Sequence, residues 1–90
     1  MYAQKYHNID LSKFSFLVTG GAGFIGSNLV EYLLKYGAKR VRVLDNFSTG
    51  HKKNISSFFS KDNFELVEGD IRNLEICNKA CEDIDFVFHQ

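Results

Sequence analysis

Four glycines, Gly20, Gly21, Gly23 and Gly26, fall within the run Thr19-Gly-Gly-Ala-Gly-Phe-Ile-Gly26, and a carboxylate, Asp45, follows nineteen positions after the last of them. Glycines at this spacing clear side chains from the backbone, so that its N–H groups can come close to a large anion. Such an anion is held best at a helix N-terminus, where the first amides have no partner within the helix and the positive end of the dipole faces out. Read from Gly21 the run is G-x-G-x-x-G, and read from Gly20 it is G-x-x-G-x-x-G. Both readings give the early glycines to a tight turn and close phosphate approach, and Gly26 to close contact of helix with strand. The competing reading is a glycine turn between strand and helix that holds no ligand.

Elements of the right kind flank the run. Phe14 to Thr19 reads as a buried strand. After Gly23 a helical pattern begins, with Ile25, Leu29, Leu33 and Tyr36 as its stripe, Val30 and Leu34 widening it, and Gly37 as its stop. A second strand, Arg40 to Leu44, delivers Asp45 at its carboxyl end, the layout of a dinucleotide-binding βαβ unit. There Asp45 can accept from both hydroxyls of an adenosine ribose and would repel a 2'-phosphate, which favours NAD over NADP. Asn46 adds no positive charge to draw that phosphate, although Arg40, Arg42, Lys52 and Lys53 lie near in sequence. Asp45 as a turn or helix-cap aspartate is the alternative.

The polar loop Asn46 to Asn54 carries Ser48, Thr49 and Gly50 as small donors. Ile55 to Ser60 reads as a short helix whose Phe58-Phe59 pair packs on the sheet. Phe64 to Glu68 forms a third strand, and Gly69-Asp-Ile-Arg72 turns off its carboxyl end. Ligands of open α/β sheets sit outside those ends, which puts Asp70 and Ile71 where an adenine would lie; a turn or capping role is the other reading of Asp70. Asn73 caps a helix running to about Asp83, with Leu74, Cys77, Cys81 and Ile84 as its apolar stripe and both thiols in the core. Asp85 to His89 is a fourth strand, and His89 at its end reads as structural.

Composition narrows the partners. Ninety residues that are 44% apolar can build one small core, and eleven basic against eleven acidic residues give no field to attract nucleic acid or an anionic membrane. No apolar run approaches the ~20 residues of a membrane span. Met1 to Lys13, a polar extension, has no signal-peptide core, so a cytoplasmic location is expected. Two cysteines cannot make a closed zinc set, and no metal is expected.

With Leu44-Asp-Asn-Phe-Ser-Thr-Gly-His51, Glu68-Gly-Asp-Ile-Arg-Asn73 and Phe86-Val-Phe-His-Gln90, the glycine run resembles the start of the NAD-dependent nucleotide-sugar epimerase/dehydratase family of extended short-chain dehydrogenase/reductases. The resemblance covers about Phe14 to Gln90 and is strongest to UDP-N-acetylglucosamine 4-epimerases of bacterial polysaccharide biosynthesis. It implies an α/β fold: residues 14–90 form the N-terminal part of a Rossmann-type doubly wound parallel sheet of about four strands, helices on both faces, cut short after the fourth. It also implies that Gly20, Gly23, Phe24 and Ile25 serve the NAD pyrophosphate, with Gly26 closing helix on strand. Asp45 and Asn46 then serve the ribose, Ser48 to Gly50 its surroundings, Asp70 and Ile71 the adenine, and Gln90 the start of the nicotinamide half.

In this family a tyrosine and a lysine four residues on help NAD take a hydride from C4 of a UDP-sugar and return it to the other face. The tyrosines here, Tyr2, Tyr6, Tyr32 and Tyr36, are followed four residues later by Tyr6, Asp10, Tyr36 and Arg40, so no Y-x-x-x-K is present and no catalytic residue is assigned. The chain therefore reads as a catalytically incomplete fragment, with the UDP-sugar bound only in an intact, homodimeric relative. The start of a 4,6-dehydratase or decarboxylase is the competing enzyme reading, and a non-enzymatic NAD-binding module is the third. Against the module stands the apolar fourth strand, Phe86 to Phe88, an edge that invites aggregation.

Overall fold

A computed structural model describes residues 10–20, 23–47 and 52–89, with only the backbone of Phe24 and Lys52. The expectations for residues 1–9, Ser48, Thr49, Gly50 and Gln90 lie outside the described residues. Four strands, β1 (Ser15–Thr19), β2 (Arg40–Asp45), β3 (Phe64–Glu68) and β4 (Phe86–His89), form one sheet in the order β3-β2-β1-β4. All three pairings are parallel. Helix α1 (Phe24–Lys35) links β1 to β2, and α2 (Leu74–Ala80) links β3 to β4. This is the expected α/β Rossmann-like arrangement.

Alternation along the strands sorts the core into two layers. Phe16 and Val18 of β1, Val41 and Val43 of β2 and Phe64 of β3 join Val30 and Leu33 of α1 on one face. Leu17 and Leu44 point the other way and meet Ala80 of α2, with Ile76 and Cys77 packed beside it. Every residue of β1 is buried, as expected of a central parallel strand covered on both faces.

The inward line of α1 is Gly26, Val30 and Leu33, whereas Ile25, assigned by periodicity to the stripe, is 70% exposed at the helix start. The helix stops where expected. Gly37 takes φ +77°, its N–H bonds to the Leu34 carbonyl at 3.2 Å, and the Ala38 N–H bonds to the Leu33 carbonyl at 3.0 Å. That is a Schellman closure, with Ala38 and Leu33 both in the core.

Two expectations need correction. In place of a helix over Ile55 to Ser60 stand two single 3-10 turns, Lys52–Asn54 and Ser56–Phe58. The Ser56 hydroxyl bonds back to the Lys53 carbonyl at 3.2 Å, the kind of local bond by which serine competes with helix. The segment still closes the core. Ile55 is fully buried, and Phe58 and Phe59 lie 5.8 and 5.7 Å from the Phe64 ring, with Phe59 half exposed. Helix α2 is also shorter than expected: Asn73 caps its start by accepting from the Ile76 N–H, but Cys81 is its last cap and Asp83 turns away at φ +60°. Cys81 is therefore exposed, Leu74 at the helix start is exposed as well, and the inward stripe is Ile76, Cys77 and Ala80. The thiols are not both core groups.

At the outer edge, Phe86, Val87 and Phe88 of β4 are 44, 53 and 37% exposed. Phe86 stacks on Phe16 and meets Phe14 edge-on, with centroids 5.6 and 5.4 Å apart. If the loop residue Ile55 is core, Ile55→Ala is expected to cost about 2–5 kcal/mol and Ile55→Val about 0.5–1.5 kcal/mol. Urea-unfolding midpoints compared at constant slope check this.

Candidate cofactor site

The carboxyl ends of the strands are knit together one residue beyond their pairing. Gly20 leaves β1 at φ +71° and donates its N–H to the Leu44 carbonyl at 2.8 Å, which sets the glycine turn directly beside Asp45. The Asp45 carbonyl in turn accepts the Gly69 N–H at 3.0 Å, bringing the turn that carries Asp70 alongside. The three groups assigned to pyrophosphate, ribose and adenine thus stand in one row.

Gly23 is the N-cap of α1, with its carbonyl accepting the Ser27 N–H at 2.9 Å. Among the described residues no side chain caps this end, and the first turn holds no acidic residue, so no carboxylate of theirs neutralises the amide donors. Gly23 has φ −74° and ψ 172°, open to any residue, and a Cβ there would meet the Gly20 carbonyl only at an ordinary 3.4 Å. Among the described residues, neither backbone strain nor internal packing requires glycine here. The space left by its missing side chain suits a ligand that must touch the backbone, and a pyrophosphate fits it. Ile25 lies exposed beside this end, and Gly26 is buried toward the sheet.

Asp45 is 6% exposed. Its Oδ1 accepts the Phe47 N–H at 2.7 Å, and Phe47 adopts φ +61°, so the turn role considered for this residue is realised. Asn46 is exposed next to it. Two of the basic residues that weakened the case for NAD, Arg40 and Arg42, are occupied elsewhere. Arg42, near the start of β2, donates to the Ala80 and Glu82 carbonyls at 2.7 and 2.9 Å, and both Arg42 and Arg40 pair with Glu65. At about 3.3 Å per residue these α-carbons lie roughly 10–16 Å from that of Asp45.

Gly69 has a packing reason to be glycine, since a Cβ would stand 2.9 Å from two carbons of Ile76. Asp70 is tied to Arg72: Oδ1 accepts the Arg72 backbone N–H at 2.8 Å, and Oδ2 accepts Nη2 at 2.6 Å. The Arg72 side chain, then its backbone N–H, hold the Asp70 pKa down at about 2. The carboxylate therefore has a turn role of its own, and any adenine contact would be shared with Arg72. Ile71 is 42% exposed and lines a cleft of about 220 Å³ with Leu17, Thr19, Leu44, Val87 and His89. Cys77, whose thiol donates to the Ile71 carbonyl at 2.7 Å, and Cys81 complete its wall.

Two residues of the quoted motifs, neither assigned a role at the site from the sequence, meet at its edge. Thr19 and His89 are register partners on β1 and β4, and the Thr19 hydroxyl lies 2.8 Å from His89 Nδ1. Their signal in the sequence was positional, each being the last residue of an apolar strand. Tyr32 and Tyr36 have their rings 4.8 Å apart and pack against the core on the α1 side. Among the described residues no group of three or more metal-ligating side chains occurs. Among those residues no helix is long and apolar enough to cross a membrane.

A parallel sheet whose strand order reverses between β1 and β4, with a glycine turn and an acid at the strand ends, defines a dinucleotide-binding α/β unit. Residues 16–90 match the NAD dependent epimerase/dehydratase family, and the chain belongs to it. The chain is 43% identical over 72 residues to the low-salt glycan biosynthesis protein Agl12 of Haloferax volcanii, covering 79% of this chain and 23% of that protein. It is 39% identical over 92 residues to UDP-glucuronic acid decarboxylase 1 of Danio rerio, covering 98% and 21%. It thus spans about a fifth to a quarter of the length of these relatives. Among solved structures, an epimerase of Methanothermobacter thermautotrophicus superposes with a TM-score of 0.75 at 44% identity, over 84% of this chain and 22% of that one. The dTDP-glucose 4,6-dehydratase of Bacillus anthracis, crystallised with NAD, gives 0.79 at 32%, over 84% and 26%.

The Asp70–Arg72 pair has a defined pH dependence. Because the folded-state pKa lies below the ordinary carboxylate value, whatever the pair contributes is present above that ordinary value and lost as pH falls through about 2. Carboxyl-carbon NMR is expected to show Asp70 titrating near 2 and returning toward the ordinary range in Arg72→Ala.

Proposed function

We propose that this chain supplies the NAD-binding part of a nucleotide-sugar enzyme, a UDP-sugar 4-epimerase acting on UDP-N-acetylglucosamine. The observation that carries the cofactor half is Gly23, an uncapped helix start whose glycine nothing inside the described protein requires. Gly20 and Gly23 keep side chains clear of the helix start, so that the first-turn amides of Phe24 and Ile25 meet the pyrophosphate, while the buried Asp45 receives the ribose hydroxyls and disfavours a 2'-phosphate. Asn46 flanks the ribose, and Ile71 offers an apolar surface to the adenine face beside Asp70. When bound, NAD supplies a hydride acceptor that can give the hydride back, which suits inversion at a sugar carbon. The residues here orient that cofactor. The ninety residues contain no Y-x-x-x-K to move the proton.

The epimerase reading is supported by the likeness to a solved epimerase. The likeness to UDP-glucuronic acid decarboxylases and to dTDP-glucose 4,6-dehydratases favours a second reading with the same cofactor site and a different outcome at the sugar. A protein in which this sequence is joined to a Y-x-x-x-K segment is expected to interconvert UDP-N-acetylglucosamine with its 4-epimer. Release of carbon dioxide from UDP-glucuronate, or water loss from dTDP-glucose, would replace the epimerase reading.

The cofactor reading is tested on the chain itself by calorimetric titration. NAD is expected to bind more tightly than NADP. Asp45→Asn, which can still accept from the Phe47 N–H, is expected to weaken NAD by about tenfold or more through loss of a charged acceptor. Gly23→Ala is expected to fold normally and bind NAD poorly; unchanged affinity in both variants would remove the assignment.

A further inference from the structure

Brought together at the point where the strand order reverses, Thr19 and His89 form a side-chain link between the end of β1 and the end of β4. We infer that His89 is a positioning residue for the cofactor turn: its Nδ1, bonded to the Thr19 hydroxyl, fixes the exit of β1 and through it the placement of Gly20. This rests on the NAD-binding reading above.

The geometry makes the chain of contacts short. Thr19 is 7% exposed and immediately precedes Gly20, whose backbone must already have swung to φ +71° to begin the turn. On its β2 side the turn is held by the Gly20 N–H to the Leu44 carbonyl, and within itself by the Gly23 N–H to the Gly20 carbonyl at 3.1 Å. On its β4 side the hold comes from His89. In an open parallel sheet the crevice at such a reversal is where a ligand enters, because the connections on either side lead away from it. The side-chain bond there adds to the backbone pairing of Thr19 with His89 at the end of the ladder. His89 lies on an exposed strand, so packing fixes its ring only in part, and the bond to Thr19 supplies the rest. A neutral imidazole can donate or accept at Nδ1, and the threonine hydroxyl can do the complementary one in either tautomer.

The test combines NAD titration with histidine NMR on the 90-residue chain. His89→Ala and Thr19→Val are each expected to weaken NAD by about three- to tenfold, in line with loss of one hydrogen bond. Thr19→Ser, which keeps the hydroxyl, and His89→Asn, whose carboxamide can stand in for Nδ1, are expected to stay near wild type. The double variant Thr19→Val/His89→Ala is expected to bind no worse than the weaker single, because the two residues share one bond. The His89 Nδ1 shift is expected to move in Thr19→Val and to hold in Thr19→Ser. Singles whose effects multiply, His89→Ala binding NAD like wild type, or an Nδ1 shift unmoved by Thr19→Val would each overturn the positioning role. A wild-type chain that binds no NAD would instead overturn the cofactor reading on which it rests.

Discussion

The register of β1 against β2 governs the rest of the molecule. Pairing Thr19 with Leu44 leaves the next amide, that of Gly20, opposite the Leu44 carbonyl, and the bond between them holds the glycine turn against Asp45. A slip of one residue would turn Val18 and Val43 to the wrong face and take the turn away from the acid in the same movement. Core packing and site geometry are therefore set by a single alignment. The bond from Gly69 to the Asp45 carbonyl repeats the device one strand further out.

Helix α1 is stabilised at its two ends by different means. Its C-terminus is closed entirely by backbone, through Gly37 and Ala38, whereas its N-terminus begins at a glycine with no side-chain cap. The helix is anchored by Val30 and Leu33 in its later turns. Stability is thus concentrated away from the end that faces the site, and that end keeps its donors available.

Much of this was legible in the sequence because it rests on local chemistry. The four strands, the glycine turn, the Gly37 stop and the Asn73 cap follow from strand and helix patterns and from residues with strong positional habits. What was not legible depends on contacts distant in sequence. Periodicity alone placed Ile25 in the stripe, but the sheet selects Gly26 as the inward residue, which turns Ile25 out. The expected helix after Ile55 gave way to 3-10 turns, although the burial expected of its Phe58 held. Cys81 was read as core on the assumption that α2 continued, and the turn at Asp83 ends it first. Arg42 drew attention as a charge near the ribose, yet it serves the end of α2, thirty-eight residues on at Ala80.

The two borders of the sheet also differ in a way that carries over to assembly. Beyond β3 the border side chains include Glu65 and Glu68, and the Glu65 carboxylate is bound up with Arg40 and Arg42. Beyond β4 the border is a hydrocarbon strip continued inward by Phe16 and Phe14. The ion pairs of Glu65 run between β2 and β3 and leave the outer edge of β3 to its own backbone. A strand laid against β4 would instead extend an aromatic surface already half formed and take its half-exposed side chains out of water.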